Sequence, residues 1–322
     1  MTRYVIKRIL AMIPVALGVT ILIFTMLYFA DGDPARIILG GEASDEEVYE
    51  LREDLGLNDS YVTRLGRYIK QVFFDFDLGT SYINKRSVSS EIVTRFPVTM
   101  QVAVLSVMLA LLLGMPLGIS AAVHQYSWRD NACMLSSLIV VSMPGFWVGL
   151  LLSLIFALNL RWLPASGYGD PIQLILPCVA IGLNGVGSIA RQTRSSMLEV
   201  IRQDYIVTAR AKGVAEQKVI YVHALRNALI PVITQVGTML GFQLCGAIVA
   251  ESVFSLPGLG SYMISAIKNR DYPAVQGSVL YVALVFGVIM LLIDILYAFV
   301  DPRIKARYQG KKRNRRIALW KK

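Results

Sequence analysis

Six apolar runs divide the chain, at residues 9–30, 98–123, 132–158, 172–190, 229–250 and 274–300. Each is close to or above the ~20 residues that an α-helix needs to cross a bilayer, so the pattern predicts six transmembrane helices. Asp31-Gly32-Asp33-Pro34 ends the first run, and no small-residue cleavage site follows it. That run therefore reads as a retained span rather than a leader peptide. Phe96-Pro97-Val98-Thr99 opens the second, whose inner half carries Gly114, Pro116 and Gly118, and Pro144-Gly145 predicts a kink in the third. Trp162 and Tyr168, in the 159–171 connection, are placed as interfacial anchors.

Two polar stretches between these runs carry helical signals of their own. In 31–97, Ser44-Asp45-Glu46-Glu47 is a capping-box signature, continued by Val48, Leu51 and Leu55 as an amphipathic helix that ends at Gly56. A second helix is expected over 60–74, with Val62, Leu65, Ile69 and Phe73 aligned. In 199–228, Asp204 is placed as the N-cap of a helix over 205–212, and Gly213 stands where a left-handed C′ residue would. Another helix starts at Glu216, with Val219, Val222, Leu225 and Leu229 on one face and Lys218, Arg226 and Asn227 on polar or mixed faces. A unit of this charge cannot lie in hydrocarbon, so it faces water and can dock on a soluble partner. The organisation is then a first segment and span (1–30), a polar insert (31–97), a five-helix core (98–300) that includes the 199–228 loop, and a basic tail (301–322).

Composition fits this partition. Of 322 residues, 55% are hydrophobic and 17% charged, with the charge segregated between the apolar runs, which marks an all-α polytopic membrane protein rather than a soluble domain. The net charge of +10 does not point to nucleic acid, because ten of the 32 basic residues lie beyond residue 300. A basic tail beside a membrane helix reads as a cytoplasmic retention signal or an anionic-lipid contact. Placing the N-terminus, 124–131, 191–228 and the tail on one side gives that side 21 basic residues against 11. Both termini and the 199–228 loop are thus expected in the cytoplasm, and the acidic insert outside. Cys133, Cys178 and Cys245 lack metal-ligand spacing and read as small buried hydrophobes.

No catalytic constellation appears. The phosphate loop Gly-x-x-x-x-Gly-Lys-Ser/Thr is absent, so the chain does not cradle ATP by that route. His124 and His223 both fall on connections, without a paired nucleophile or ligand set, which sets aside an intramembrane enzyme; His223 reads as a packing or interface residue. An ion-coupled secondary carrier would show paired acids or histidines mid-span and inverted repeats, and neither is visible. Within the spans, Asp294 lies about two turns from the cytoplasmic end, where a helix-positioning contact with Arg191 or Arg194 outweighs substrate binding. Asn184 and Gln243 are candidates for a polar path; Gln243 stands among Gly241, Cys245 and Gly246, which allow close helix approach. Patterning leaves pore-lining and interhelical hydrogen bonding both open for these amides.

Thr208-Ala209-Arg210-Ala211-Lys212-Gly213, followed by His223-Ala224-Leu225-Arg226-Asn227-Ala228-Leu229-Ile230-Pro231, resembles the cytoplasmic coupling loop of ABC-importer permeases, and most closely the B-type subunit of the dipeptide/oligopeptide/nickel branch. In the general family the loop carries Glu-Ala-Ala three residues ahead of the glycine. Here Val207, Thr208 and Ala209 hold those places, a replacement common in the peptide branch. The resemblance continues in Leu55-Gly56-Leu57-Asn58-Asp59, Asp77-Leu78-Gly79-Thr80-Ser81, Glu251-Ser252-Val253-Phe254-Ser255-Leu256-Pro257-Gly258-Leu259-Gly260, Arg270-Asp271-Tyr272-Pro273 and Asp294-Ile295-Leu296-Tyr297-Ala298, covering about residues 1–305. Met290 stands where family members often have asparagine. The resemblance implies a type I ABC importer permease fold in a bacterial cytoplasmic membrane, with an extracytoplasmic insert between spans 1 and 2 that either docks the substrate-binding protein or packs passively. It implies import of di- or oligopeptides, or of nickel or another small solute. It further implies a non-identical second permease subunit, two ATP-binding subunits that hold ATP and Mg, and no cofactor on this chain. Coupling to the ATPases would fall to Asp204, Tyr205, Thr208, Ala209, Arg210, Ala211, Lys212, Gly213, His223, Arg226 and Asn227.

Overall fold

The computed structural model describes the backbone of residues 2–300 and the side chains of residues 5–244 and 247–296. The basic tail at 301–322, with Asp301-Pro302-Arg303-Ile304, lies outside the described residues, as do the side chains of Cys245, Gly246, Tyr297 and Ala298. The described residues are helical almost throughout. Among the described residues the β-pairing is one isolated bridge, Thr80 to Ser87.

Among the described residues five helices are long and apolar enough to cross a membrane: Val5–Tyr28, Val88–Val123, Pro171–Ile201, Glu216–Leu244 and Tyr272–Leu296. The sixth candidate is a broken pair, Trp128–Ser142 and Gly145–Asn159, bent by 98°. The expected kink is therefore a sharp break. Met143, the residue before Pro144, takes extended backbone angles (φ −82°, ψ 131°), as the proline ring demands of its predecessor.

In chain order, α1 (Thr2–Tyr28) is followed by α2 (Pro34–Leu39), α3 (Asp45–Asp54) and α4 (Tyr61–Phe73). Short polar caps fix all three helices of the insert. Asp33 accepts from the Ala35 N–H at 3.0 Å, with Pro34 at the first helical position, and Ser60 caps α4. The predicted capping box is present: the Glu47 N–H donates to Ser44 Oγ (3.3 Å) and the Ser44 N–H donates to Glu47 Oε2 (2.9 Å). These donors from Ser44, backbone first, hold the Glu47 carboxyl below its ordinary range.

Helix α5 (Val88–Val123) starts ten residues before the predicted span. Its first turns carry Glu91 and Arg95, whose charges look like loop, yet the two side chains pair at 2.8 Å one turn apart. On the same stretch Val88 and Ile92 are fully buried. Then come α6 (Trp128–Ser142), α7 (Gly145–Leu152), a π-helical turn (Ser153–Asn159) and α8 (Ile175–Ile201). Helix α8 runs eleven residues past the predicted end of its span and takes in Arg191 and Arg194. The remainder is α9 (Asp204–Ala211), α10 (Glu216–Lys218), a π turn (Val219–Ala224), α11 (Leu225–Val253), α12 (Leu259–Lys268) and α13 (Tyr272–Val300).

Two compact units share these helices. The first comprises residues 1–103, 149–177 and 243–287. One of its clusters joins Ala16 and Phe24 of α1 to Tyr68 and Val72 of α4 and Leu280 of α13; another joins Val88 and Ile92 to Leu259, Tyr262, Met263 and Ala266 of α12 and Ala274 and Val275 of α13. Hydrogen bonds to buried carboxylates tie its loops. Asp271 accepts from the Ser81 hydroxyl and from the Tyr82 N–H (3.0 Å), linking two of the motif blocks noted above. Burial pushes the Tyr82 phenol up to about 12, so it stays neutral. Glu251 is fully buried and accepts from Thr99 Oγ1 (2.5 Å) and the Ser261 N–H (2.9 Å), while Thr99 Oγ1 accepts from the Leu259 N–H (2.9 Å). A Cβ at Gly258 would stand 2.3 Å from the Glu251 carboxyl carbon, which explains the glycine of the Leu-Pro-Gly-Leu-Gly run.

The second unit comprises, of the described residues, 104–148, 178–242 and those from 288 to 300. Its core is the crossing of α5 and α8. A Cβ at Gly114 would meet the Val186 carbonyl oxygen at 2.7 Å, and one at Gly118 would meet the Ala190 carbonyl oxygen at 2.5 Å. This small-x-x-x-small spacing lets two backbones touch where apolar side chains alone would give no advantage over lipid. Val107, Ala110, Ile189, Val232 and Met239 pack beside the crossing. Replacing Gly118 by Val should prise α5 from α8 and cost at least ~2 kcal/mol, since the clash is with backbone. Thermal unfolding in mild detergent checks this; a melting temperature equal to wild type would contradict the close-contact geometry.

Candidate functional site

The loop expected to couple to ATPases forms a compact ledge on the second unit. Helix α9 starts at Asp204, with Gln203 rather than Asp204 in the N-cap position and no side-chain cap bond. Asp204 instead sits in the first turn, where its charge suits the helix dipole. The helix ends as the glycine predicts: Gly213 has φ +76°, its N–H donates to the Arg210 carbonyl (2.9 Å), and the Val214 N–H donates to the Ala209 carbonyl (3.3 Å). This double closure is a Schellman motif. Arg210 then bridges the turn to Glu216, Nη2 to Oε1 at 2.6 Å and Nε to Oε2 at 3.0 Å, so both sides of the glycine are held.

Beyond the turn the structure departs from the expected face. Val219, Ile220, Ala224 and Ala228 are buried, whereas Val222 is 51% exposed. The π turn at Val219–Ala224 is the reason. Its wider i→i+5 spacing moves the inward position from Val219 to Ala224, and regular four-residue steps follow to Ala228 and Val232. This helix runs on into the fifth span, with helical backbone continuing from Glu216 to Val253 through Pro231.

The buried side of the ledge is one hydrophobic cluster: Ile119 and Ala122 of α5, Met197 of α8, Ile206 of α9, Val219, Ile220, Ala224 and Ala228. Ile206 is its deepest contribution from α9, with no exposed surface. Asn227 Nδ2 donates to Tyr205 Oη (2.9 Å) and to the His223 carbonyl (3.2 Å), clamping α9 against the start of α11. The Thr208 hydroxyl returns to the Asp204 carbonyl (2.9 Å). Tyr205, Val207, Thr208, Arg210, Ala211, Lys212, Gly213, Tyr221, Val222, Arg226 and Asn227 are exposed, while Ala209 and His223 are half-buried. The ledge is thus a rigid base with a mixed aromatic, aliphatic and basic outer surface.

Sequence reasoning missed the residue that anchors this base. Asp130, 2% exposed, receives Arg194 Nε (2.5 Å) and Nη2 (2.7 Å) and the Tyr126 N–H (3.0 Å). Arg194 therefore pairs with Asp130 rather than with Asp294. An acid in an otherwise basic short connection was the available signal. Gln125 Oε1 accepts from Arg202 Nη2 at 3.3 Å, so the 124–131 connection holds both α8, at Arg194, and the turn that follows it. Arg191 and Asp294 are half-buried. The candidate path residues differ in setting: Asn184 Nδ2 donates to the Val141 carbonyl at 3.5 Å, an interhelical contact within the second unit, whereas Gln243 belongs to the first unit and is buried with its Oε1 unpartnered among the described residues.

Removing one partner of a buried pair leaves a desolvated charge behind. Arg194→Ala should destabilise the protein by ~2 kcal/mol, between the values for exposed and fully enclosed pairs. Asp130→Ala/Arg194→Ala should recover part of that loss, because no orphan charge remains. Thermal unfolding of Arg194→Ala, Asp130→Ala and the double variant measures it, and a loss in the double equal to or larger than the sum of the two single losses would contradict the pairing.

Comparisons with known proteins agree with this architecture. Residues 114–306 match the model of the binding-protein-dependent transport system inner membrane component, and residues 1–103 match its N-terminal companion. The dipeptide transport system permease protein DppB of Alkalihalophilus pseudofirmus is 42% identical over 333 residues, covering 95% of this chain and all of that protein. The glutathione transport system permease protein GsiC of Salmonella paratyphi A is 42% identical over 305 residues, covering 95% and 99%. Among solved structures, an inward-facing form of the MetNI methionine ABC transporter shares the fold, with a TM-score of 0.56 at 17% identity over 66% of this chain and 97% of that one. The chain belongs to the binding-protein-dependent transport system inner membrane component family, and it is the multi-pass transmembrane permease subunit of an ABC importer.

Proposed function

We propose that this permease carries di- or oligopeptides across the bacterial cytoplasmic membrane, with both termini and the 199–228 ledge on the cytoplasmic side. Two ATPase subunits, which hold ATP and Mg, dock on the ledge; a second, non-identical permease completes the path; a soluble binding protein delivers substrate on the face of the insert. The observation that carries this reading is the ledge itself. A short helix is fixed by Ile206 to a hydrophobic base and presents Tyr205, Val207, Tyr221 and Val222, at 45–58% exposure, beside Lys212 and Arg226. Exposed aromatic and aliphatic side chains with a basic rim are what a protein interface uses. The peptide class is supported by relatives of equal similarity named for dipeptide and for glutathione, both of them peptidic. The second permease is supported by the number of spans: the described residues offer five spans and one broken pair, few to enclose a translocation path alone.

The mechanism is mechanical. ATPase subunits that bind the ledge more tightly in one nucleotide state shift the permease between its inward- and outward-facing forms, by no more than that difference in affinity. Because α9, α5, α8 and the π turn share one cluster, a displacement of α9 is passed to the base of α5 and α8 instead of being absorbed in a loop. Gln243, buried with an unpartnered carbonyl oxygen, is the better candidate for a path-facing amide; Asn184 is already spent on Val141.

Gly213→Pro forces φ to about −65° where the turn needs a positive value, and Ala209→Glu drives a carboxylate against the cluster. Each should lower peptide uptake at least tenfold while membrane insertion, and basal hydrolysis by the ATPases, persist. The measurement is uptake of labelled dipeptide and of nickel, with ATP hydrolysis, by the importer reconstituted in liposomes with its binding protein. Wild-type uptake in both variants would refute the coupling role; uptake under an ion gradient without ATP would refute the importer mechanism; nickel in place of peptide would refute the substrate.

A further inference from the structure

The first unit contains a cavity of about 370 Å³ that the transport reading leaves unused, lined by Tyr28, Ala30, Gly32, Asp33, Pro34, Arg52, Leu57, Arg64 and Tyr272. Two of its walls are span ends: Tyr28 is the last residue of the Val5–Tyr28 span and Tyr272 the first of Tyr272–Leu296. A cavity between such ends lies at the depth of lipid headgroups, where tyrosine is favoured.

Its polar lining carries a surplus of positive charge. The Asp33 carboxylate is taken by Arg52 Nη1 (3.1 Å), and Arg52 Nε donates to Asn58 Oδ1 (3.0 Å). Arg64 has no such partner: among the described residues no carboxylate reaches it, and its protein hydrogen bond is one N–H to the Leu57 carbonyl at 3.3 Å. It is positioned by aromatic faces instead, 5.3 Å from the Tyr28 centroid and 6.0 Å from that of Phe24. Thr25 Oγ1 and Tyr61 Oη hydrogen-bond at 2.7 Å, and the Tyr61 ring meets Tyr28 edge-on at 5.1 Å, so this aromatic cradle is fixed. Arg270 is not part of the lining but stands next to it, its Nε 3.0 Å from where a Cβ on Gly32 would be. A guanidinium has five donors in a planar fork suited to phosphate. An apolar strip also leads away from Tyr28 along α1. Ile21 and Leu17 stand seven and eleven residues before it, on the same helical face, and both are 38% exposed.

We infer that this cavity is a binding site for an anionic phospholipid, with Arg64 and Arg52 on its phosphodiester and its acyl chain along Leu17 and Ile21. The site pins the insert to the ends of α1 and α13 through lipid as well as through protein contacts. Its volume accommodates a phosphoglycerol headgroup, and its net charge selects an anionic lipid over a zwitterionic one.

The test uses the importer purified in mild detergent, with bound lipid counted by native mass spectrometry, and thermal unfolding of the delipidated wild-type complex after add-back. Phosphatidylglycerol should raise the unfolding temperature, while phosphatidylcholine of the same chains and inorganic phosphate should not. Retained phosphatidylglycerol should fall about tenfold in Arg64→Gln, the loss of one charge-assisted contact. It should stay at the wild-type level in Arg67→Gln, whose side chain pairs with Asp59 outside the cavity. Equal stabilisation by phosphatidylcholine, or an unchanged lipid count in Arg64→Gln, would overturn the inference. So would stabilisation by inorganic phosphate alone, which makes the cavity a free-anion site, or by dipeptide through Arg64, which makes it a substrate site. Should Arg64→Gln fail to accumulate, the wild-type add-back decides: no shift with phosphatidylglycerol rejects the site.

Discussion

The contact on which the second unit depends is the backbone-to-backbone crossing of α5 and α8. In a bilayer, apolar side chains gain little by leaving lipid for each other, so helices associate where small residues let main chains approach. Gly114 and Gly118 supply that on α5, and Gly182 and Gly185 supply it on α8, facing Ser106 and Ala110 respectively. Everything in the ledge is built on this crossing. Ile119 and Ala122 follow directly after Gly118, Met197 follows Ala190, and together they make the floor into which Ile206 inserts. A looser crossing would leave α9 resting on a yielding base, and force applied there would dissipate before reaching the spans.

Polar contacts have a different task in each unit. In the second, Asp130 and Arg194 join a short connection to the cytoplasmic end expected for α8, and Arg210 and Glu216 close the glycine turn. These pairs tune the orientation of short pieces whose burial is supplied by apolar side chains. In the first unit, Glu251 and Asp271 organise loops that have little hydrophobic content of their own. Glu251 collects donors from two separate segments, at Thr99 and Ser261, and Asp271 collects both of its donors from the adjacent Ser81 and Tyr82, so the desolvation of each carboxylate is compensated only when those segments are docked on it. Such contacts favour a single loop arrangement more than they add net stability.

The sequence made much of this legible, for reasons that separate local from tertiary signals. Caps and turns were readable because they are decided within four or five residues: the Ser44/Glu47 box and the Gly213 closure both stand as expected. The residues expected to couple to ATPases could be collected from motif blocks, but not their arrangement. A hydrophobic face read at 3.6 residues per turn put Val222 inside, and one π turn put it outside. Hydropathy gave loop to residues 88–97 because it scores Glu91 and Arg95 singly, whereas a paired, one-turn spacing lets both ride on a helix whose other face is buried. Asp130 is hard to read for a related cause: its partner lies 64 residues away, and its place in an otherwise basic connection is a local signal that does not name that partner.

The π turn also bears on how the ledge moves. A regular helix from Glu216 through Pro231 would be one stiff rod, and any rotation imposed at α9 would have to turn the whole of α11. The π segment and the missing proline N–H place two irregular points within one short stretch, where backbone hydrogen bonds are already weaker or absent. Asn227 lies between them and is tied to Tyr205, so the link from α9 enters the helix at its most deformable stretch. The rigid part of the ledge is consequently its union with α5 and α8, and the compliant part is its exit into α11. A displacement of α9 should therefore carry the bases of α5 and α8 with it while α11 bends, which makes the response of the spans unequal rather than a uniform tilt.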